Sequence, residues 1–337
     1  MSFFDLTDSN HLTIAALLVS GALLSFFATQ FIVRRGRRHF LDTPNERSAH
    51  VVATPRGGGI AFVGVFFIVV TLYGWCVSTG LRADVRWIPM ALLPLALVGI
   101  VDDLRGLSAL LRFIAQMLTA CLIVIVLGKP LPTFISEIGV GATALIVFLL
   151  TIPIAAAINF YNFMDGLDGL VAGTSLVQLC FLGWWLDVPI AWPLVASLIG
   201  FLAWNWPPAK IFMGDTGSTF LGAAPVMLGI LSDAPPDRVL AAWTVTAPLL
   251  LDAGFTLVRR ATRGANLLEG HREHLYQRLH RSGWSHGQVT LSYMGVTALC
   301  ALCVMTWNGA GAVVAVTLSV VFLGVGELAM RRRGIAS

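Results

Sequence analysis

The sequence predicts an all-α polytopic integral membrane protein with about eleven transmembrane helices, N-terminus outside and C-terminus cytoplasmic. Three observations predict it. Of 337 residues, 57% are hydrophobic and 12% charged. An average soluble domain carries about 25% charged residues, so this chain has too few to cover a globular surface. The apolar residues arrive in blocks of about 15–25, the length a helix needs to cross roughly 30 Å of hydrocarbon. Lys and Arg alternate between crowded and nearly empty loops, as they do in chains threaded through a membrane.

In order, the blocks lie at about 11–33, 59–79, 84–101, 108–127, 139–158, 170–186, 189–204, 217–232, 238–258, 288–307 and 311–330. No Lys or Arg precedes the first, and Asp5 and Asp8 stand where a signal peptide carries basic residues. It is therefore read as a retained span. The seventh is the shortest and runs into Trp204, Asn205, Trp206, Pro207 and Pro208. Eighteen of the 22 Lys and Arg fall on one side, leaving Arg82, Arg86, Lys129 and Arg238 on the other. The crowded side is assigned to the cytoplasm. The net charge of +4 is thus a topology signal that also suits anionic lipid headgroups, and no nucleic-acid partner is expected. Cys76, Cys121, Cys180, Cys300 and Cys303 all lie in apolar blocks. Cys300 and Cys303 are read as small packing residues rather than a metal or redox pair. No internal repeat divides the chain, and residues 1–337 form one membrane domain.

Against this background the polar motifs fall at cytoplasmic ends of spans. Asp102 and Asp103 follow the third. Asn162, Asp165 and Asp168 follow the fifth, within Asn162-Phe-Met-Asp-Gly-Leu-Asp-Gly169. Asp215 follows the seventh, within Phe212-Met-Gly-Asp-Thr-Gly-Ser218, and His271, Arg272, Glu273 and His274 sit in the long loop after the ninth. Each has a bland reading. An acidic pair at a helix end is solvated, or pairs with arginines of nearby loops. The spacing of Asn162, Asp165 and Asp168 suits one face of a helix, whereas Gly166 and Gly169 argue for a turn or a close backbone approach. Asp215, Thr216 or Ser218 could simply cap the helix that follows.

The motifs carry more together than apart. Carboxylates crowded at one membrane face repel one another unless a cation or a basic group intervenes. Such oxygen donors suit Mg²⁺, or Mn²⁺, and not zinc. A Mg²⁺ held by few carboxylates leaves room for substrate phosphates, with arginine and histidine donors for the remaining oxygens. Asp252 stands apart, about two turns inside the ninth block. An intramembrane acid is a functional suspect, paired either with a basic group of the cleft or with a structural hydrogen-bond partner. An ion-coupled transporter would also use membrane carboxylates, but it predicts acids near the midplane and paired broken helices. A scaffold without catalysis leaves the carboxylates without a use.

In this order the motifs resemble the glycosyltransferase 4 family of polyprenyl-phosphate N-acetylhexosamine-1-phosphate transferases. The likeness is greatest to the bacterial members that start O-antigen or enterobacterial common antigen synthesis. It rests on Arg47-Ser-Ala-His50, Thr54-Pro-Arg-Gly-Gly-Gly59, Asp102, Asp103, the Asn162–Gly169 and Phe212–Ser218 motifs, Asn205 and His271-Arg-Glu-His274. The resemblance implies transfer of an N-acetylhexosamine 1-phosphate from a UDP-sugar to undecaprenyl phosphate at the bacterial inner membrane. The active site would form from cytoplasmic loops at about 34–58, 102–107, 159–169, 205–216 and 259–287. It implies Asn162 and Asp215 as Mg²⁺ ligands, and Asp102, beside Asp103, at the lipid phosphate. Asp165 and Asp168 would hold the nucleotide and their own loop, and Asn205 the metal and uridine end. His271, Arg272 and His274 would meet the donor's diphosphate and sugar, with His50 and Arg56 lining the same cleft. Expected partners are a UDP-N-acetylhexosamine, undecaprenyl phosphate, membrane lipid and a second copy in a homodimer. The alternative is the peptidoglycan branch, which transfers a phospho-muramoyl-pentapeptide. That branch resembles Thr-Pro-Thr-Met-Gly-Gly and His-His-His-Phe-Glu where this chain has Thr54-Pro-Arg-Gly-Gly-Gly59 and His271-Arg-Glu-His-Leu-Tyr-Gln277, and is disfavoured.

Overall fold

The computed structural model describes residues 8–35, 41–42, 53–76, 87–127, 139–266 and 270–334. Within them the chain is a mostly helical, multi-pass membrane protein. Helix α1 (Asp8–Arg35) leads to a two-residue antiparallel pair, β1 (Leu41–Asp42) with β2 (Thr54–Pro55), a small departure from the expected all-α fold. There follow α2 (Gly58–Cys76), α3 (Ile88–Arg105), and α4 (Ala109–Leu122), which runs on as a π turn, Ile123–Leu127. Next come α5 (Val140–Met164), α6 (Leu170–Trp185), α7 (Ala191–Asn205) and α8 (Gly214–Leu231). Helix α9 (Pro236–Trp243) joins α10 (Ala247–Thr262) through a 3₁₀ turn, Thr244–Thr246. The short α11 (Leu275–Arg281) precedes the long α12 (His286–Arg332). Asn308, at φ 49° and ψ −121°, folds α12 back into two arms, 286–307 and 309–332. The arms touch where Cys300 Sγ donates to the Ala315 carbonyl at 3.3 Å, so this cysteine packs one arm on the other.

Where they lie within the described residues, the apolar blocks read from the sequence are largely helical, the last two forming the arms of α12. Among the described residues, five helical segments are long and apolar enough to cross a membrane: 15–35, 109–127, 140–164, 236–262 and 286–332. Their outer faces carry large apolar side chains with no protein neighbour to cover them, such as Leu145, Phe148, Leu149 and Ile152 on α5. A continuous apolar belt of this kind needs lipid rather than water around it. The interior helices are shorter. Helices α6 and α7 have 16 and 15 residues, about 24 and 22 Å of rise, and most of their side chains are buried. Helix α8 is the hub. It packs against α2, α3, α5 and α6, and nearly every residue from Thr216 to Leu231 is buried.

The hub places the chemistry. The N-terminus of α8, the C-termini of α3, α5, α7 and α10, and the N-termini of α2, α4 and α12 meet at one end of the bundle. Backbone bonds tie them: Phe212 N donates to Pro55 O, Gly58 N to Phe212 O and Gly59 N to Met213 O, at 2.7–2.9 Å.

Candidate active site

The turn between α3 and α4 sets the first part of the site. Gly106, at φ +67°, ends α3 and donates to Asp102 O. The Leu107 amide then donates to Asp102 Oδ1, and Ser108 caps α4 by accepting from Leu111 N at 3.3 Å. So tight a return brings Arg112, one turn into α4, back over the end of α3. Its Nη1 lies 3.4 Å from Asp102 Oδ2 and 2.9 Å from Asp215 Oδ2. One guanidinium thus spans two carboxylates that are far apart in sequence.

Asp103 faces the other way and is 3% exposed. Its Oδ1 accepts from Asp215 N at 2.8 Å, and its Oδ2 from Thr216 N at 3.3 Å and Thr216 Oγ1 at 2.7 Å. These are orphan amides of a helix start, which have no partner in their own helix. The cap of α8 therefore comes from α3, and not from Asp215, Thr216 or Ser218, because a residue outside the helix reaches both first-turn amides at once. Gly214, at φ +75°, is required here: a β-carbon would collide with the Asp103 carboxylate. The cap leaves Asp215 free to point at Arg112 and Asn162.

Asn162 lies in the last turn of α5. Its Nδ2 donates to Asp215 Oδ2 at 3.2 Å and its Oδ1 accepts from Ser218 Oγ at 3.0 Å. One turn earlier, Gln116 Nε2 donates to Asn159 Oδ1 at 3.4 Å, tying α4 to α5. Beyond Asn162 the helix gives way to a turn, as the glycines required. Gly166 lies under the Tyr276 ring, where a β-carbon would collide with the phenol. Asp168 Oδ2 accepts from Ala209 N at 3.0 Å and lies 3.1 Å from His286 Nδ1, while its carbonyl accepts from Thr290 Oγ1. Asn205, 4% exposed, accepts from Gly169 N at 3.1 Å and donates to Ile211 O at 2.9 Å. Asp168 and Asn205 thus pin the acidic turn to the loop that leads into α8.

Asp165 differs from both. Its half-buried carboxylate makes no hydrogen bond among the described residues. Burial, and then the charges of Asp215, Asp103 and Asp168, raise its carboxyl well above the ordinary carboxylate range. An acid held among like charges without a donor is a place for a cation.

The loop after α10 forms the opposite wall. Arg259 Nη1 lies 2.9 Å from Glu327 Oε1, which also pairs with Arg278, and Arg259 Nη2 donates to Glu273 O at 2.6 Å. Arg260 pairs with the Glu273 carboxylate. His271 and His274 lie with ring centroids 4.8 Å apart, and His274 reaches Phe163 at 6.2 Å, next to Asn162. Burial, then His274 and Arg260, push His271 down to about 4, and burial lowers His274 too. Both rings are therefore neutral near pH 7. Arg272 lies in the same wall, its carbonyl accepting from Arg281 Nη2 at 2.9 Å. Arg56, half-buried between the two backbone bonds to Phe212, has no ion pair among the described residues. His50 lies outside the described residues.

Among the described residues, no three His, Cys, Asp or Glu side chains are arranged to enclose a metal ion. The donors that do converge are hard oxygens, and Asp165 is without a donor. Mg²⁺ takes only one or two protein carboxylates and completes its shell with water and phosphate oxygens. On its chemistry this set fits such an ion.

The family model described as Glycosyl transferase family 4 matches residues 86–233. A decaprenyl-phosphate N-acetylglucosaminephosphotransferase of Mycobacterium tuberculosis is 30% identical, covering 95% of this chain and 90% of that protein. The chain belongs to glycosyl transferase family 4. Two further relatives bracket it. A probable undecaprenyl-phosphate N-acetylglucosaminyl 1-phosphate transferase of Bacillus subtilis is 31% identical over 73% of this chain and 71% of its own length. A phospho-N-acetylmuramoyl-pentapeptide-transferase of a Synechococcus strain is 34% identical over 73% and 76%. The family match spans Asp102, Asp103, Asn162, Asp165, Asp168, Asn205 and Asp215, together with a residue that the motif reading did not single out. Arg112 entered that reading only as a topology charge. A lone arginine at the start of an apolar run, four residues after a helix cap, was the signal available for it. Tyr276 stood within the His271–Gln277 motif without a role, and His286 was missed, since each acts on a residue more than a hundred positions away.

Proposed function

We propose that this family 4 protein transfers an N-acetylhexosamine 1-phosphate from a UDP-sugar to undecaprenyl phosphate at the cytoplasmic face of a bacterial inner membrane. One observation carries the reading. Asp102, Asp165 and Asp215 converge with Arg112 at a single end of a lipid-embedded bundle, where a soluble donor and a membrane-anchored acceptor can meet.

The lipid phosphate oxygen attacks the β-phosphorus of the donor. A new phosphorus–oxygen bond forms, the bond between the β-phosphorus and its bridge to the α-phosphate breaks, and UMP departs with that bridging oxygen. Charge balances without a net proton transfer, because the acceptor phosphate is already ionised near pH 7. The chain's task is therefore positioning and charge neutralisation. Asp215 and Asn162, with Asp165 alongside, are the groups that would hold Mg²⁺, which supplies charge neutralisation at the transferring phosphoryl group. Arg112 then turns from the two carboxylates to phosphate oxygens, for which its planar fork is suited. Asp102 orients the acceptor phosphate at the end of α3, and Asp103 holds the α8 start that carries Asp215. His271, Arg272 and His274 meet the donor's diphosphate and sugar, with Arg56 lining the same cleft. Asp168 and Asn205 keep the nucleotide-facing turn in place. These roles keep Thr54–Gly59 and His271–Gln277 as the reason to favour an N-acetylhexosamine over a muramoyl-pentapeptide donor.

The test is transfer itself. Purified protein is given undecaprenyl phosphate, Mg²⁺ and each of UDP-N-acetylglucosamine, UDP-N-acetylgalactosamine and UDP-N-acetylmuramoyl-pentapeptide, radiolabelled at the β-phosphorus. Label from an N-acetylhexosamine donor should enter the lipid, and EDTA should stop it. Label from the pentapeptide donor alone would move the protein to the peptidoglycan branch. No labelled lipid from any donor, with or without EDTA, would sink the transferase reading.

A further inference from the structure

The acid buried within the α9–α10 span has no place in the phosphoryl chemistry above. Asp252 is 1% exposed. Burying an ionised carboxylate costs several kcal/mol unless fixed donors replace water, and here four donors converge. Its Oδ1 accepts from Leu275 N at 2.8 Å, and its Oδ2 from Tyr276 N at 3.2 Å and Tyr293 Oη at 2.6 Å. Thr256 Oγ1, one turn on in α10, lies 3.5 Å from Oδ1. The donors come from α10, α11 and the first arm of α12. His274 Nδ1 lies 3.9 Å from Oδ1.

From this anchor a chain of contacts runs to the acidic turn. Tyr276, whose amide Asp252 holds, donates its Oη to Phe163 O at 3.0 Å and covers Gly166. Phe163, which follows directly on Asn162, and Gly166 flank Met164 and Asp165. The His274 ring is stacked on Tyr276 at 5.7 Å and tilted against Phe163 at 6.2 Å. A packing role alone would be met by an apolar side chain at 252. The two carboxyl oxygens of Asp252 hold both amides and the Tyr293 hydroxyl at once, which no apolar side chain can do.

We propose that Asp252 is a positioning residue: it clamps the start of α11 and so fixes the His271–His274 segment and Tyr276 against the acidic turn, setting the donor half of the site. The proposal rests on the transferase reading for what that half binds. The clamp itself is read independently of turnover.

Asp252→Asn keeps the volume but removes the charge and one acceptor. In full-length protein in detergent, hydrogen exchange across 274–281 should quicken by on the order of ten-fold, while exchange at the α8 start stays at the wild-type rate. With UDP-N-acetylglucosamine and undecaprenyl phosphate, KM for the nucleotide sugar should rise about ten-fold, with KM for the lipid and kcat changing less than about three-fold. Tyr293→Phe, which removes one donor and keeps the ring, should move the same two readouts in the same direction by about three-fold. It carries the test if Asp252→Asn does not fold. Unchanged exchange across 274–281 overturns the clamp. Faster exchange with donor KM within two-fold of wild type, or equal rises in both KM values, overturns the positioning role. If wild-type protein transfers from no donor, the transferase reading fails, and the clamp stands or falls on the exchange data.

Discussion

Two sets of carboxylates occupy the same end of this bundle and are treated in opposite ways. Asp103 and Asp252 are filled by donors that the fold supplies, chiefly the first amides of α8 and α11, and Asp168 is held by Ala209 N and His286. Around Asp102, Asp165 and Asp215 acceptors outnumber donors, and Arg112 is shared between two of the three. A saturated buried acid is scaffold, since its charge is already answered. An unsaturated one stores repulsion that a cationic ligand can relieve. Neighbours in sequence can fall on opposite sides of this line, as Asp102 and Asp103 do.

The largest expected effect contrasts the two sets directly. Asp215→Asn should lower kcat by about 10³-fold or more, since it removes charge where the phosphoryl group is neutralised, while the melting temperature in detergent holds. Asp103→Ala should do the reverse in emphasis, destabilising the protein by about 3 kcal/mol because three donors at the α8 start lose their acceptor. Chemical denaturation and turnover measured on both variants check this. If Asp215→Asn melts early and Asp103→Ala does not, the division collapses.

Next in size is Arg112. Arg112→Ala should lower kcat/KM about 10²-fold, and Arg112→Lys should recover only part of it, because an ammonium cannot span two acceptors as a planar fork does. Full recovery by lysine, measured as initial rates under saturating Mg²⁺, would reduce Arg112 to a point charge.

The smallest effect concerns the opposite wall. His271 is held near 4, below its ordinary 6.5, so the unfolded chain binds a proton there that the folded chain refuses. Its contribution to stability is present above about pH 6.5 and is lost as pH falls toward 4. His271→Gln should flatten the loss of melting temperature over that window without changing it at pH 8. An unaltered acid limb would show that His271 is protonated in the folded protein.

Much of the frame was legible in one dimension, because a membrane segment announces itself by length and composition. The apolar blocks fall on the helices even at the short α7, whose 15 residues needed no full bilayer thickness once neighbours buried them. The clustering of Asp102, Asn162, Asp165 and Asp215 was legible as well, since each motif follows the end of a span that finishes on the same side. The direction in which each carboxylate points was not. Nothing local separates Asp102 from Asp103, or marks Arg112 as the partner of Asp102 and Asp215.

By itself the sequence determined a polytopic helical protein with its acidic and basic motifs at one end, because hydropathy and charge act residue by residue. Only the tertiary structure decided which acids are spent on capping helices, which stay unanswered, and that Asp252 reaches the His271–His274 wall. Those outcomes depend on amides and hydroxyls brought from distant helices, and a carboxylate's partners are a property of the packed site rather than of its neighbours in the chain.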